Sequence, residues 1–197
     1  MKNTKGSEIR CAKGITFFDY FEPETDASEL EYSGRGESVY AEGRQVMVRA
    51  CNDALVIYRE PEKEPGILLV KRMQEPMTGD LWPLGGGYSR GMPTSESLTE
   101  KVREESGLEI DSGSLRLLTI ANFMWKTTPY SGDKKEILPK GTHDLALLFY
   151  CEGVGKLNLN SIHEKPLIVT KEMYTEEFRK SLPPYTRAGM DVAMQFL

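Results

Sequence analysis

The chain has 197 residues, enough for one domain of ordinary size with a substantial core. Its 30 acidic and 25 basic side chains leave a net charge of −5, a balance that repels a phosphate backbone and argues against double-stranded nucleic acid as the main partner. A small anionic ligand stays compatible with it, because a local group of cations or a bound metal ion reverses the field inside one cleft. Cys11, Cys51 and Cys151 show no paired spacing, so neither a disulfide framework nor a zinc site is expected, and a reducing cytoplasm fits. The N-terminus lacks an apolar leader and no segment approaches the ~20 apolar residues of a membrane helix, so a soluble, unprocessed, cytoplasmic protein is expected.

Residues 15–21, ITFFDYF, are rich in β-forming side chains and end at Pro23, which predicts a first strand. The polar stretch that follows holds a short strand at Leu30 to Tyr32 or is a loop, and it joins an N-terminal arm, residues 1–43, to a main domain, residues 44–197. In QVMVRACNDALVIYRE two β-rich runs flank Asn52-Asp53, a pair that favours turns, so strand, turn and strand are expected. GILLVKRM, apolar on consecutive residues, reads as a strand buried on both faces. A loop leads from Thr78 into LWPLGGG. Leu98 and Val102 are then spaced to face a core from one helix, with Thr94 or Ser95 as N-cap and Gly107 as terminator. SLRLLTIANFMW and HDLALLFYCEG read as strands separated by a polar hairpin tip or lid, and TEEFRKSL and TRAGMDVAMQFL as helices divided by Pro183-Pro184.

Residues 84–108, LGGGYSRGMPTSESLTEKVREESGL, resemble a Nudix box, G-x5-E-x7-R-E-U-x-E-E-x-G-U with U a bulky aliphatic. Counted back from Gly107-Leu108, the pattern is met by Gly86, Val102, Glu104, Glu105, Gly107 and Leu108. Met92, Glu100 and Lys101 stand where it has Glu, Arg and Glu. The preceding LLVKR and the Trp82-Pro83 pair occur in the family's order. The resemblance implies an α/β fold of the Nudix type, an α/β/α sandwich around a mixed sheet, here with an N-terminal extension. It also implies hydrolysis of a diphosphate linkage in a nucleoside diphosphate derivative (NDP-X), with Mg2+ or Mn2+ as the cofactor.

The chemistry behind that implication is electrostatic. A diphosphate under attack by water accumulates negative charge, and a hard cation held by carboxylate oxygens stabilises it. Glu104, Glu105 and Glu100 are the candidate metal ligands and catalytic carboxylates, with Glu96, Glu100 and Glu104 forming a stripe at successive i+4 positions. Lys101 opposes such a site, since its ammonium repels a cation and can pair with Glu104 or Glu105. Arg72, Gly86 and Gly87 are the candidate substrate contacts, the first as an anion partner and the glycines as backbone close to phosphate. Trp82, Phe123, Trp125 and Tyr130 are available to stack on a base or to pack as core. His143, His163, Asp144 and the pair Glu176-Glu177 are further polar candidates without a visible partner. The competing expectation is a catalytically lapsed module that keeps the fold to bind a nucleotide-like ligand or a protein partner. Extensions such as residues 1–43 often build dimers, so a homodimer is expected.

Overall fold

The computed structural model describes residues 8–11, 16–18, 43, 47–125 and 142–197, the first two stretches and residue 142 as backbone only. In chain order the elements are β1 (Glu8–Cys11), β2 (Thr16–Phe18), β3 (Val48–Tyr58), β4 (Gly66–Arg72), β5 (Leu81–Trp82), β6 (Leu84–Gly87), α1 (Thr94–Ser106), β7 (Glu109–Ile110), β8 (Arg116–Trp125), β9 (Thr142–Val154), β10 (His163–Val169), α2 (Glu176–Ser181) and α3 (Pro184–Ala193). The strands form one mixed sheet in the order β10-β4-β3-β9-β8-β1-β2, with β5, β6 and β7 pairing off this path onto β4, β3 and β9. The pairs β3/β9 and β1/β8 are parallel. β1 and β2 thus extend this one sheet at its edge beyond β8.

Helices cover both faces, and each face has its own core. On one side Leu98 and Val102 of α1 pack with Val56, Leu68, Val70, Leu84 and Phe149. On the other, Tyr185, Met190 and Ala193 of α3 pack with Leu55, Ile67, Leu69, Trp82 and Leu148. β4 feeds alternate residues to the two cores, as its continuous apolar run requires, and Ile67 to Val70 are all fully buried. Among the described residues no helix is long and apolar enough to cross a membrane.

Two sequence expectations are corrected. Asn52-Asp53 is not a turn: β3 runs unbroken through both residues, because β6 and β9 hold this stretch of backbone from either side and the two side chains find buried partners, Asn52 Nδ2 donating to Ser97 Oγ at 3.2 Å and Asp53 accepting from Tyr185. Neither Thr94 nor Ser95 caps α1. The N-cap is Pro93, which supplies no side-chain bond, while Thr94 is buried and accepts from Tyr88 Oη at 2.8 Å. The helix does stop at Gly107, whose φ of 71° is the left-handed conformation expected of a terminating glycine. The second of the two prolines opens α3 at its first turn, where a missing N–H costs nothing. The expected strand or loop at Leu30 to Tyr32 and the polar segment around Tyr130 lie outside the described residues.

Candidate functional site

β3 and β4 pair with each other only over Val56–Tyr58 and Gly66–Leu68. Beyond that point they part: β4 takes β5 as its partner, and β3 takes β6, with Asp53 opposite Gly85 and Asn52 opposite Gly86. The separation leaves room for side chains at a place where α1 crosses over β6. Four groups converge there: Asp53 of β3, Arg72 at the end of β4, Gly85 of β6 and Glu105 of α1.

Glu105 is turned inward and is 7 % exposed. Its Oε2 accepts from the Gly85 N–H at 2.7 Å. Burial pushes its carboxyl up to about 8, and the charge of Asp53 adds to this, against the Gly85 hydrogen bond and the cations Arg72 and Lys101. Asp53 is buried on the other side of the same glycine, its Oδ2 accepting from Tyr185 Oη at 2.8 Å. Burial pushes it up to about 6, with Tyr185, Arg72 and Arg49 pulling the other way. Gly85 makes this close approach possible, because a Cβ there would sit 2.6 Å from Asp53 Cα and 2.7 Å from Asp53 Oδ1, and its φ of +138° suits glycine alone.

Arg72 carries the positive charge of the site. Burial lowers its pKa, while Asp53 and Glu105 raise it, and its Nε donates to the Gln74 carbonyl at 3.0 Å. His163 stands beside it in register across β10 and β4. Burial and Arg72 lower its pKa to about 4, so the ring is neutral at neutral pH, with Nδ1 donating to Asn160 Oδ1 at 3.1 Å. The same loop fastens the end of α1, since the Asn158 and Asn160 N–H groups donate to the Ser106 and Glu105 carbonyls at 2.7 and 3.0 Å.

The structure does not bring Glu100, Glu104 and Glu105 together. Glu104 faces outward, 52 % exposed, and accepts from Lys101 Nζ at 2.9 Å. Glu100 accepts from Ser89 Oγ at 3.1 Å. Among the described residues no group of three His, Cys, Asp or Glu side chains gathers as a metal-ion site. The donor set of the three helix glutamates therefore does not fit the Mg2+ or Mn2+ ion that the box implies. Gly86 and Gly87 line the same stretch of β6 as Gly85, and a Cβ on Gly86 would meet nothing within 4 Å.

Next to Asp53 lies a wall of aromatic rings. Tyr185 meets Trp82 at 5.3 Å and Phe123 edge-on at 5.0 Å between centroids, and Trp125 stacks on Phe123 at 4.9 Å. Trp125 Nε1 also donates to buried Asp144, which Arg49 grips through two bonds of 2.9 and 2.8 Å. Asp144 is thus committed to an ion pair, His143 lies against Asn122, and Glu176 and Glu177 are exposed on α2. Sequence reasoning missed Asp53 and Tyr185 and gave His163 no context. The available signal was an acidic residue inside an otherwise apolar run, which is costly to bury without a partner.

No family model matches the chain, and no curated protein matches it. Solved structures do. The MutT NUDIX hydrolase of Burkholderia pseudomallei is similar with a TM-score of 0.54 at 19% identity, over 74% of this chain and 97% of that one. A NUDIX hydrolase from Nitrosomonas europaea has a TM-score of 0.52 at 14% identity, over 74% and 87% of the two chains. A MutT protein from Methanosarcina mazei Go1 has a TM-score of 0.50 at 18% identity, over 76% and 94%. At such identities the likeness shows the fold, and the fold is the Nudix α/β/α sandwich.

Proposed function

We propose that this Nudix-fold chain hydrolyses a diphosphate linkage in a nucleoside diphosphate derivative, NDP-X. The observation that supports this most is the gathering of two buried carboxyls, Asp53 and Glu105, on either side of Gly85, with Arg72 and neutral His163 alongside. Carboxyls lifted to about 6 and about 8 change protonation close to neutral pH, the property a group needs to accept a proton from water or to deliver one to a leaving oxygen. Asp53, ionised at neutral pH, suits the accepting role and Glu105, still protonated there, the donating one. Arg72 offsets the charge that builds up on the diphosphate. Mg2+ or Mn2+ belongs to this reading through the box alone, and Glu105 is the only one of the three helix glutamates directed at the site.

A second reading, a lapsed module that binds a nucleotide-like ligand or a partner, is favoured by one observation, the Lys101–Glu104 ion pair that occupies a box carboxylate. One assay separates the two: phosphate release after coupled phosphatase, across nucleoside triphosphates, ADP-ribose, dinucleoside polyphosphates and nucleotide sugars, with Mg2+, Mn2+ or EDTA. The hydrolase reading expects release from at least one NDP-X and a rate at least about tenfold lower in Glu105→Gln. Absence of release from every compound, with thermal stabilisation by one of them, would establish the binding module instead. A cytoplasmic homodimer joined through residues 1–43 is part of the proposal, and light scattering checks the oligomeric state.

A further inference from the structure

Resting on the reading of a diphosphate ligand, we infer that Lys101 and Arg72 form a metal-independent cradle for that diphosphate, with the lysine ammonium supplying positive charge where the box pattern has an acidic metal ligand.

The helix geometry sets Lys101 on the face of α1 that is bonded to β3 and β6. Ser97, Lys101 and Glu105 recur at i+4 and so share one face of α1. The two outer members are both tied to the sheet side: Ser97 Oγ accepts from Asn52 Nδ2 and from the Ser89 N–H, and Glu105 accepts from the Gly85 N–H. Lys101 lies between them and its side chain is only 26 % exposed. Its partner Glu104 is on the outer side of the helix, and an ion pair so open to water holds a lysine weakly enough for a doubly charged ligand to compete.

Arg72 stands at the end of β4, where β4 and β3 have parted. Both cations act on the Glu105 carboxyl, which puts both within electrostatic reach of one point. Among the described residues no carboxylate lies within ion-pair distance of Arg72, so its guanidinium is not committed to a salt bridge there. Glu105 itself is held by the Gly85 N–H, and the space above Gly86, the next residue of β6, is open. With Glu105 protonated at neutral pH, Asp53 held by Tyr185 and Glu104 turned outward to solvent, the two cations beside this glycine stretch favour an anion as ligand.

The test is isothermal titration of the full chain with ADP, in excess EDTA and separately in Mn2+, for the wild type, Lys101→Met, Arg72→Met and Lys180→Met, the last altering an exposed lysine on α2. The expected results are binding in EDTA, at least about tenfold weaker binding in Lys101→Met and Arg72→Met, and no change in Lys180→Met. Thermal melts of Lys101→Met check that the loss is not unfolding. Binding that appears only with Mn2+, or wild-type affinity of Lys101→Met in EDTA, would overturn the inference. If NDP-X is turned over while ADP binds only with Mn2+, this inference fails and the hydrolase proposal stands. If ADP binds in EDTA through Lys101 and nothing is turned over, the cradle stands and the hydrolase proposal fails.

Discussion

Glu105→Gln isolates one ionisation without disturbing the packing around it. A glutamine oxygen can accept the same Gly85 N–H that Glu105 Oε2 now takes at 2.7 Å, and the two side chains have nearly the same volume. The folded pKa of Glu105 is raised from 4.5 to about 8, so the folded state binds that proton more tightly than the unfolded chain. The sign follows: the contribution to stability is fully present below about pH 4.5 and is lost as pH rises through about 8. At about 1.4 kcal/mol per unit, the loss attributable to Glu105 is on the order of 3 to 5 kcal/mol. Urea denaturation at intervals from about pH 5 to 9, in EDTA, measures it as the difference between the two proteins' stability profiles. The wild type should lose stability across that range by several kcal/mol more than Glu105→Gln, which keeps only the smaller fall from Asp53, raised from 3.8 to about 6. Equal losses in the two proteins would refute the buried, proton-holding Glu105 described above.

Gly85→Ala should destabilise by about 2 to 5 kcal/mol in the same denaturation assay, from backbone strain at positive φ and from overlap with Asp53. Tyr185→Phe keeps the ring packing against Trp82 and Phe123 but leaves Asp53 Oδ2 without its donor. It should cost about 1 to 3 kcal/mol and move the Asp53 titration above about 6, as followed by carboxyl NMR shifts against pH. Lys101→Glu exchanges a cation for a carboxylate on the face shared with Glu105 and should strengthen Mn2+ binding, as read by titration calorimetry; unchanged affinity would show that the lysine is not what opposes a cation. Glu104→Gln should lower any hydrolytic rate far less than Glu105→Gln, since Glu104 faces solvent and Lys101.

Much of the scaffold was legible because its signals are local. GILLVKR, the runs that become β8 and β9, the spacing of Leu98 and Val102 and the terminator Gly107 each announce an element within a few residues. β6 is built from LGGG, which has no strand propensity, and owes its existence to the ladder with β3. β10 is interrupted by Pro166 and a register shift between Glu164 and Leu167, tolerable because it forms the sheet's edge on β4. Asn52 and Asp53 look like turn residues for the same reason: their partners, Ser97 and Tyr185, lie 45 and 132 positions away. No reading of the local sequence could supply them.

The box illustrates why counting residues locates a helix without assigning its chemistry. Adjacent glutamates on a helix point about 100° apart, so one phase decides which of them works. Leu98 and Val102 set that phase by entering the core, and continuing their stripe by three residues reaches Glu105, not Glu104. A carboxyl in a position of the core stripe must be neutralised by a proton, a cation or both. Here the Gly85 N–H, Arg72 and Lys101 lean one way, and burial with Asp53 leans the other, leaving Glu105 protonated at neutral pH. Lys101 then ceases to be a defect in a metal site. On the same face as Glu105 and one turn away, it belongs to the charge balance that lets a carboxyl sit at the crossing of α1 and β6, and it is the residue through which an anionic ligand would be felt there.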